Sequence, residues 1–313
     1  MSDEMGRRTF LKTSAALSGA AAFALGGESS AGKKEEPQTS GPRMPSGAIG
    51  DMELSRLISG GNLIGGWAHA RDLEYVSSLM KHYNTPDKIL ETLKVMEEHG
   101  INTIIADLRG PTVDLMHKYW NEMGGSIKWI HQAHVMPGGS GQDMDRAVDQ
   151  GASAVYVRGV EGDKMVRSGK EQWIGKHVER MKKKGVPCGI GAHNLDVIIA
   201  SETAGFPADF YMKTLHHHDY WSVGNPETMP DVIDNGKRDN CWARRPEKLI
   251  SFMQDVDTPW IAYKVLAAGA IPPQDGFRYA FEGGADFICV GMFDWQVAED
   301  AHLTRDIVSQ VKK

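Results

Sequence analysis

The densest group of reactive side chains in this 313-residue sequence lies at 208–221, Ala-Asp-Phe-Tyr-Met-Lys-Thr-Leu-His-His-His-Asp-Tyr-Trp. A short apolar run, Phe210-Tyr211-Met212, gives way at once to Lys213, then to His216, His217, His218 and Asp219. One such stretch is often a solvated loop, but other apolar runs of the chain end in the same way. His69 follows the run at 62–66, Asp107 closes 102–107, His134 closes 127–134 and Arg158 closes 154–158. His193 closes 187–193, Lys264 sits within 260–266, and Asp294 follows 286–291. Ionisable groups at nearly every strand end imply a scaffold that brings those ends to one place.

Two chemistries fit these residue types. His134, His193, His216 and Asp294 offer imidazoles and a carboxylate, a donor set for zinc, manganese or iron with a position left for water or substrate. The distribution of His193, His216 and Asp294 resembles the second half of the amidohydrolase barrels, although the His-x-His of that family's first strand is replaced here by His69 alone, and His134 would complete a single-metal site. Alternatively, Lys213 or Lys264 forms a Schiff base with a carbonyl substrate, a nearby cation lowering the amine's pKa. The segment 208–214 is similar to the sixth strand of class I aldolases, which implies Lys213 as nucleophile and Lys264 as its neighbour. Asp107 and Arg158 complete the catalytic candidates. His69, Trp67, Trp221 and Trp242 lie near strand ends, where flat aromatic faces can stack on a sugar ring.

These groups need positioning elements, and the hydrophobic pattern supplies them. From residue 62 onward apolar runs alternate with amphipathic ones. Thr85-Pro86 opens one helix as N-cap and first-turn proline, and Gly100 ends it. Eight strand–helix units in about 260 residues predict a closed (β/α)8 TIM barrel spanning 50–313, whose functional groups sit at the C-terminal strand ends. The connection from His216 to about Arg244 is long enough to predict a lid or binding loop.

The N-terminus carries Gly6-Arg7-Arg8-Thr9-Phe10-Leu11-Lys12, then an Ala-rich apolar stretch with Ala22-Phe23-Ala24 as a cleavage site. This resembles a twin-arginine signal over 1–25, which implies the export machinery as a partner and a periplasmic location. Residues 26–49, rich in Gly, Ser, Lys, Glu and Pro, are expected to be a linker. No run reaches the length of a membrane span. A net charge of −6 gives no basis for nucleic-acid binding, and three scattered cysteines imply no disulfide framework.

Residues 54–57 through Trp67, with Glu97-Glu98-His99-Gly100-Ile101-Asn102, resemble the opening of the aldo/keto reductases. Aligned on Gly100-Ile101-Asn102, their catalytic Asp and Tyr positions fall on Ile105 and Gly110. The chain is therefore expected not to be such a reductase and to use no nicotinamide. The segments 267–271 and 283–291 are similar to the paired loops of phosphate-binding barrels, with Pro272-Pro273 removing two N–H donors. The expectation is an exported metal-dependent hydrolase, lyase or isomerase acting on a small polar, carbohydrate-derived substrate. The alternatives are a Schiff-base enzyme and a sugar-binding barrel without chemistry.

Overall fold

The computed structural model describes residues 43–70, 73, 75–225 and 241–311. The signal segment and most of the linker lie outside the described residues, as does 226–240 of the long connection.

An antiparallel hairpin, β1 (Ser46–Ile49) and β2 (Met52–Ser55), comes first. Eight parallel strands then close a barrel: β3 (Leu57–Gly60), β4 (Thr103–Ala106), β5 (Lys128–Ala133), β6 (Ala154–Val157), β7 (Cys188–Ala192), β8 (Phe210–Thr214), β9 (Trp260–Tyr263) and β10 (Phe287–Val290). Between and after them run α1 (Val76–Tyr83), α2 (Pro86–Glu98), α3 (Thr112–Asn121), α4 (Gln142–Asp149), α5 (Gly159–Arg167), α6 (Gln172–Lys183), α7 (Leu195–Ala204), α8 (Pro246–Met253), α9 (Pro273–Glu282) and α10 (Asp294–Gln310). The chain is thus a (β/α)8 barrel. No described helix is long and apolar enough to cross a membrane.

Two sequence expectations move. The first barrel strand is Leu57–Gly60, and residues 61–66 form turns instead. The reason is local: the Gly65 and Trp67 amides donate back to Gly61 and Asn62, and Gly66 takes a left-handed φ of 71°. Residues 46–49, placed by composition in the linker, are a strand. Ile49 and Leu54 of the hairpin are fully buried and join the barrel's inner cluster with Ile58, Ile105, Ile130, Phe210 and Phe287. The hairpin therefore floors the barrel, and each of these two side chains contributes about 1.5–3 kcal/mol of apolar burial.

The period of two along each strand sorts side chains into two layers. Ile58, Ile105, Ile130, Tyr156, Met212 and Ile261 fill the barrel. Leu57, Ile104, Trp129, Val155, Tyr211 and Trp260 alternate with them and pack under the helices. Carried on to the C-terminal ends, the same alternation turns Asp107, His134, Arg158, His193 and Tyr263 toward the mouth. Lys213 lies between the outward Tyr211 and Leu215 and shares their side of the sheet.

Candidate active site at the barrel mouth

Three groups of side chains occupy the C-terminal mouth. The first joins β4, β5 and β6. Asp107 receives Arg109 through a two-pronged contact, Nη2 to Oδ2 at 2.6 Å and Nε to Oδ1 at 3.0 Å. His134 Nε2 lies 2.8 Å from Asp107 Oδ2 and 3.2 Å from Arg158 Nη1. Arg158 in turn grips Glu161 of α5, with Nε to Oε2 at 2.7 Å and Nη2 to Oε1 at 2.8 Å. Burial raises the Asp107 carboxyl, but the hydrogen bonds from His134 and Arg109 outweigh it and hold the group well below the usual carboxylate range.

The second group is centred on His193. Asp163 of α5 accepts His193 Nδ1–H at 2.8 Å and also the backbone amides of His193 and Asn194 at 3.1 and 2.9 Å. An ionised carboxylate only accepts, so the ring proton sits on Nδ1 and Nε2 keeps its lone pair. Burial lowers the His193 pKa, with the Asp163 hydrogen bond working against it, so the ring is neutral at pH 7. The His193 and Tyr263 rings are 5.7 Å apart. Tyr263 is raised well above an ordinary phenol, first by burial and then by Asp163, and keeps its proton. Gly159 makes this approach possible, since a Cβ there would stand 2.7 Å from the Tyr263 hydroxyl and 3.2 Å from the His193 ring.

Lys264 organises the third group. Its Nζ is 2.7 Å from His69 Nε2 and 3.9 Å from the centre of the Trp242 ring, a cation–π contact. Lys264 has φ 60°, and Ala267 and Ala268 have φ 45° and 57°. They are the non-glycine residues with positive φ among the described residues, and all three fall in this one loop. Left-handed backbone costs a non-glycine residue roughly 1–2 kcal/mol, and such strain clusters at working sites. The loop spends the amides of Ala267, Ala270 and Ile271 on its own carbonyls, which leaves little of the phosphate cup implied by resemblance.

The predicted metal ligands do not converge. His193 belongs to Asp163, and His134 to Asp107. Asp294 opens α10 and accepts from Tyr83 at 2.7 Å and Lys88 at 3.1 Å, tying that helix to α1 and α2. His216 is buried beside β8, where its Nε2 accepts the Trp242 and Ala243 amides at 2.9 and 3.1 Å and its Nδ1 faces the His217 carbonyl at 3.0 Å. Burial brings its pKa down to about 3. Among the described residues the three-donor group within metal-bridging reach is His216, His218 and Cys241. Both His216 nitrogens are already engaged, and His218 Nε2 lies 2.6 Å from the Ala243 carbonyl.

Lys213 is also displaced from its expected role. Its outward side chain is 2% exposed and donates to the His193 and Thr214 carbonyls and to Thr214 Oγ1 at 2.7, 3.0 and 2.8 Å. Trp242, expected to stack on substrate, is 1% exposed, whereas Trp67 and Trp221 are 64% and 80% exposed. Sequence reasoning missed Asp163, Glu161 and Tyr263. Alternation along β9 points Tyr263 inward with Ile261, a readable signal. Asp163 and Glu161 reach back from a helix and leave none.

No family model and no curated protein matches the chain. Solved structures do. The aldo-keto reductase AKR11C1 from Bacillus halodurans is 12% identical at TM-score 0.55, covering 87% of this chain and 97% of that one. A variant of Gox0644 in complex with NADPH is 12% identical at TM-score 0.56, covering 87% and 95%. PA4992 from Pseudomonas aeruginosa, also assigned to the aldo-keto reductases, is 13% identical at TM-score 0.58, covering 84% and 95%. Likeness at this identity is a likeness of fold. It nevertheless corrects the expectation of a metal-dependent hydrolase, lyase or isomerase set apart from the reductases. The barrels this chain is similar to include aldo-keto reductases and one barrel solved in complex with NADPH, against the expectation of no nicotinamide.

Proposed function

We propose that the barrel mouth is the active site of an oxidoreductase that interconverts a carbonyl and an alcohol on a small polar substrate. The observation that carries this reading is the Asp163–His193 pair facing Tyr263. It joins a neutral imidazole of fixed tautomer to a phenol that stays protonated. Such a pair moves a proton to or from a substrate oxygen. Lys264 and Arg158 supply positive charge for an oxygen that becomes anionic.

The mouth fits a nicotinamide in kind. Trp67, Trp221 and Trp295 expose flat faces after three of the strands, and the cations Lys264 and Arg158 lie at the same end. When bound, a nicotinamide supplies or accepts the hydride; the chain's own residues hold the substrate oxygen and its proton. The same aromatic faces support a carbohydrate-derived substrate. Export through the Arg7-Arg8 signal belongs to the same reading.

The test is to titrate the protein with NADPH and NADH, following tryptophan quenching, and then to screen polyols and aldoses at 340 nm. Saturable binding with turnover that His193→Gln abolishes supports the proposal. Absence of binding by either nucleotide overturns it.

A second reading, an imine between Lys264 and a carbonyl substrate, draws on the strained backbone at Lys264 and the adjacent His69. Borohydride reduction in the presence of that substrate then leaves a mass adduct on Lys264. No adduct on Lys264 removes this reading.

A further inference from the structure

A polar cavity opens on the outer side of the barrel wall, beside the His193 end of β7. Its volume is about 310 Å³, and it lies where the first turns of α7 and α8 meet the end of β8. Lys213, Trp242, His193 and Asn194 line it, and Arg244, Arg245 and Lys248 contribute further cations.

Three independent features converge there. Lys213 is buried and donates to two carbonyls and a hydroxyl, and no carboxylate lies within ion-pair distance of it among the described residues. A buried charge without a counter-ion is costly, and most proteins avoid it. Trp242 Nε1 is a buried N–H with no hydrogen-bond partner. Such orphan donors are rare and call for an explanation. Finally, two helix N-termini line the cavity. Asn194 caps α7, while α8 begins at Arg245 without a side-chain cap. Asp196 is the one carboxylate on the lining, and it is engaged by Asn194 Nδ2 at 3.2 Å.

We propose that this cavity binds the oxyanion group of a small molecule, a carboxylate or a phosphate, with Lys213 as its counter-charge and Trp242 Nε1 as a donor. The cavity adjoins the mouth rather than sharing its face: His193 and Trp242 belong to its lining, and Lys213 Nζ donates to the His193 carbonyl at 2.7 Å from the outer side of the sheet. An oxyanion here satisfies the orphan donor and neutralises the buried cation at once. Burial lowers Lys213 to about 7, against the opposing pull of the Asp163 charge.

The experiment is calorimetric titration of the full chain with inorganic phosphate, sulfate and a series of small carboxylates, alongside thermal shift. The expected result is saturable binding of at least one probe with a rise in Tm. Binding is weakened tenfold or more by Lys213→Met and by the exposed pair Arg245→Ala with Lys248→Ala, but unchanged by Tyr263→Phe. Phosphate binding without carboxylate binding, or the reverse, identifies the group. The surface pair keeps the test decisive if Lys213→Met does not fold. No saturable binding by any probe, or binding that Arg245→Ala with Lys248→Ala leaves intact, overturns the proposal. The readout needs no catalytic activity, so its failure is distinct from failure of the oxidoreductase reading.

Discussion

The ends of β7 and β8 are neighbours in the barrel wall and carry the same kinds of residue, yet the fold uses them in opposite ways. After β7, His193 turns inward, gives one nitrogen to a carboxylate and, in the proposed mechanism, keeps the other for chemistry. After β8, His216 gives one nitrogen to two backbone amides and faces a carbonyl with the other. Its work is to fasten the chain that returns from the long connection. The two histidines read alike as strand-end imidazoles. What separates them is what their nitrogens touch, which depends on partners 26 to 30 residues away.

The contrast breaks most sharply under mutation. His193→Gln is expected to lower kcat by roughly 10²–10⁴ with little change in Tm, the usual range for a general acid–base residue. Asp163→Asn should approach it, because the ring then loses its fixed tautomer. Steady-state kinetics on the substrate found by screening checks both, and full activity in His193→Gln would remove the histidine from the mechanism.

His216→Ala should do the reverse. It leaves two buried amides unpaired, a loss of about 2–3 kcal/mol, which in a chain of this size lowers Tm by roughly 5–10 °C. Calorimetry measures this, and kcat of the remaining folded protein should hold. Unchanged stability would mean that the imidazole is not the anchor.

Acidity sharpens the same distinction. His216 has a folded pKa of about 3 against 6.5 in the unfolded chain. Between these values the unfolded state binds the extra proton, so stability falls as pH drops from 6.5 toward 3. His193 is lowered in the same direction, so kcat/KM should be flat above pH 6.5 and decline only below it. In urea denaturation, His216→Gln should flatten the acid slope relative to the parent chain.

The smallest effect is expected at Tyr263. Tyr263→Phe keeps the ring that packs beside His193 and removes the proton donor, lowering kcat about tenfold, at the low end of acid–base contributions. An unchanged rate would pass the donor role to Lys264.

Much of the scaffold was legible in the sequence. Seven of the eight barrel strands fall within a few residues of the apolar runs that announced them, because parallel strands buried on both faces are nearly continuous in hydrophobicity. The first strand was misplaced because Asn62-Leu63-Ile64-Gly65-Gly66 is as apolar as a strand, while its paired glycines make it a turn. That Asp107, His134, Arg158 and His193 stand at the barrel mouth was legible from position alone. The placement of Lys213 was not, since residue type says nothing of which face of the sheet it takes; counting alternate residues back from Leu215 does. Of the expected metal set, His216 alone falls in the three-donor group His216, His218 and Cys241 found among the described residues, because ligand geometry needs distances between segments, which no single strand encodes.

The central claim is that His193 is a neutral base with its proton fixed on Nδ1 by Asp163. Imidazole ¹⁵N chemical shifts of the labelled protein at pH 7, assigned by comparison with His193→Gln, report this directly. The account predicts a protonated Nδ1 and an unprotonated Nε2, with the Nδ1 signal moving in Asp163→Asn. A proton on Nε2, or an imidazolium at pH 7, would contradict it.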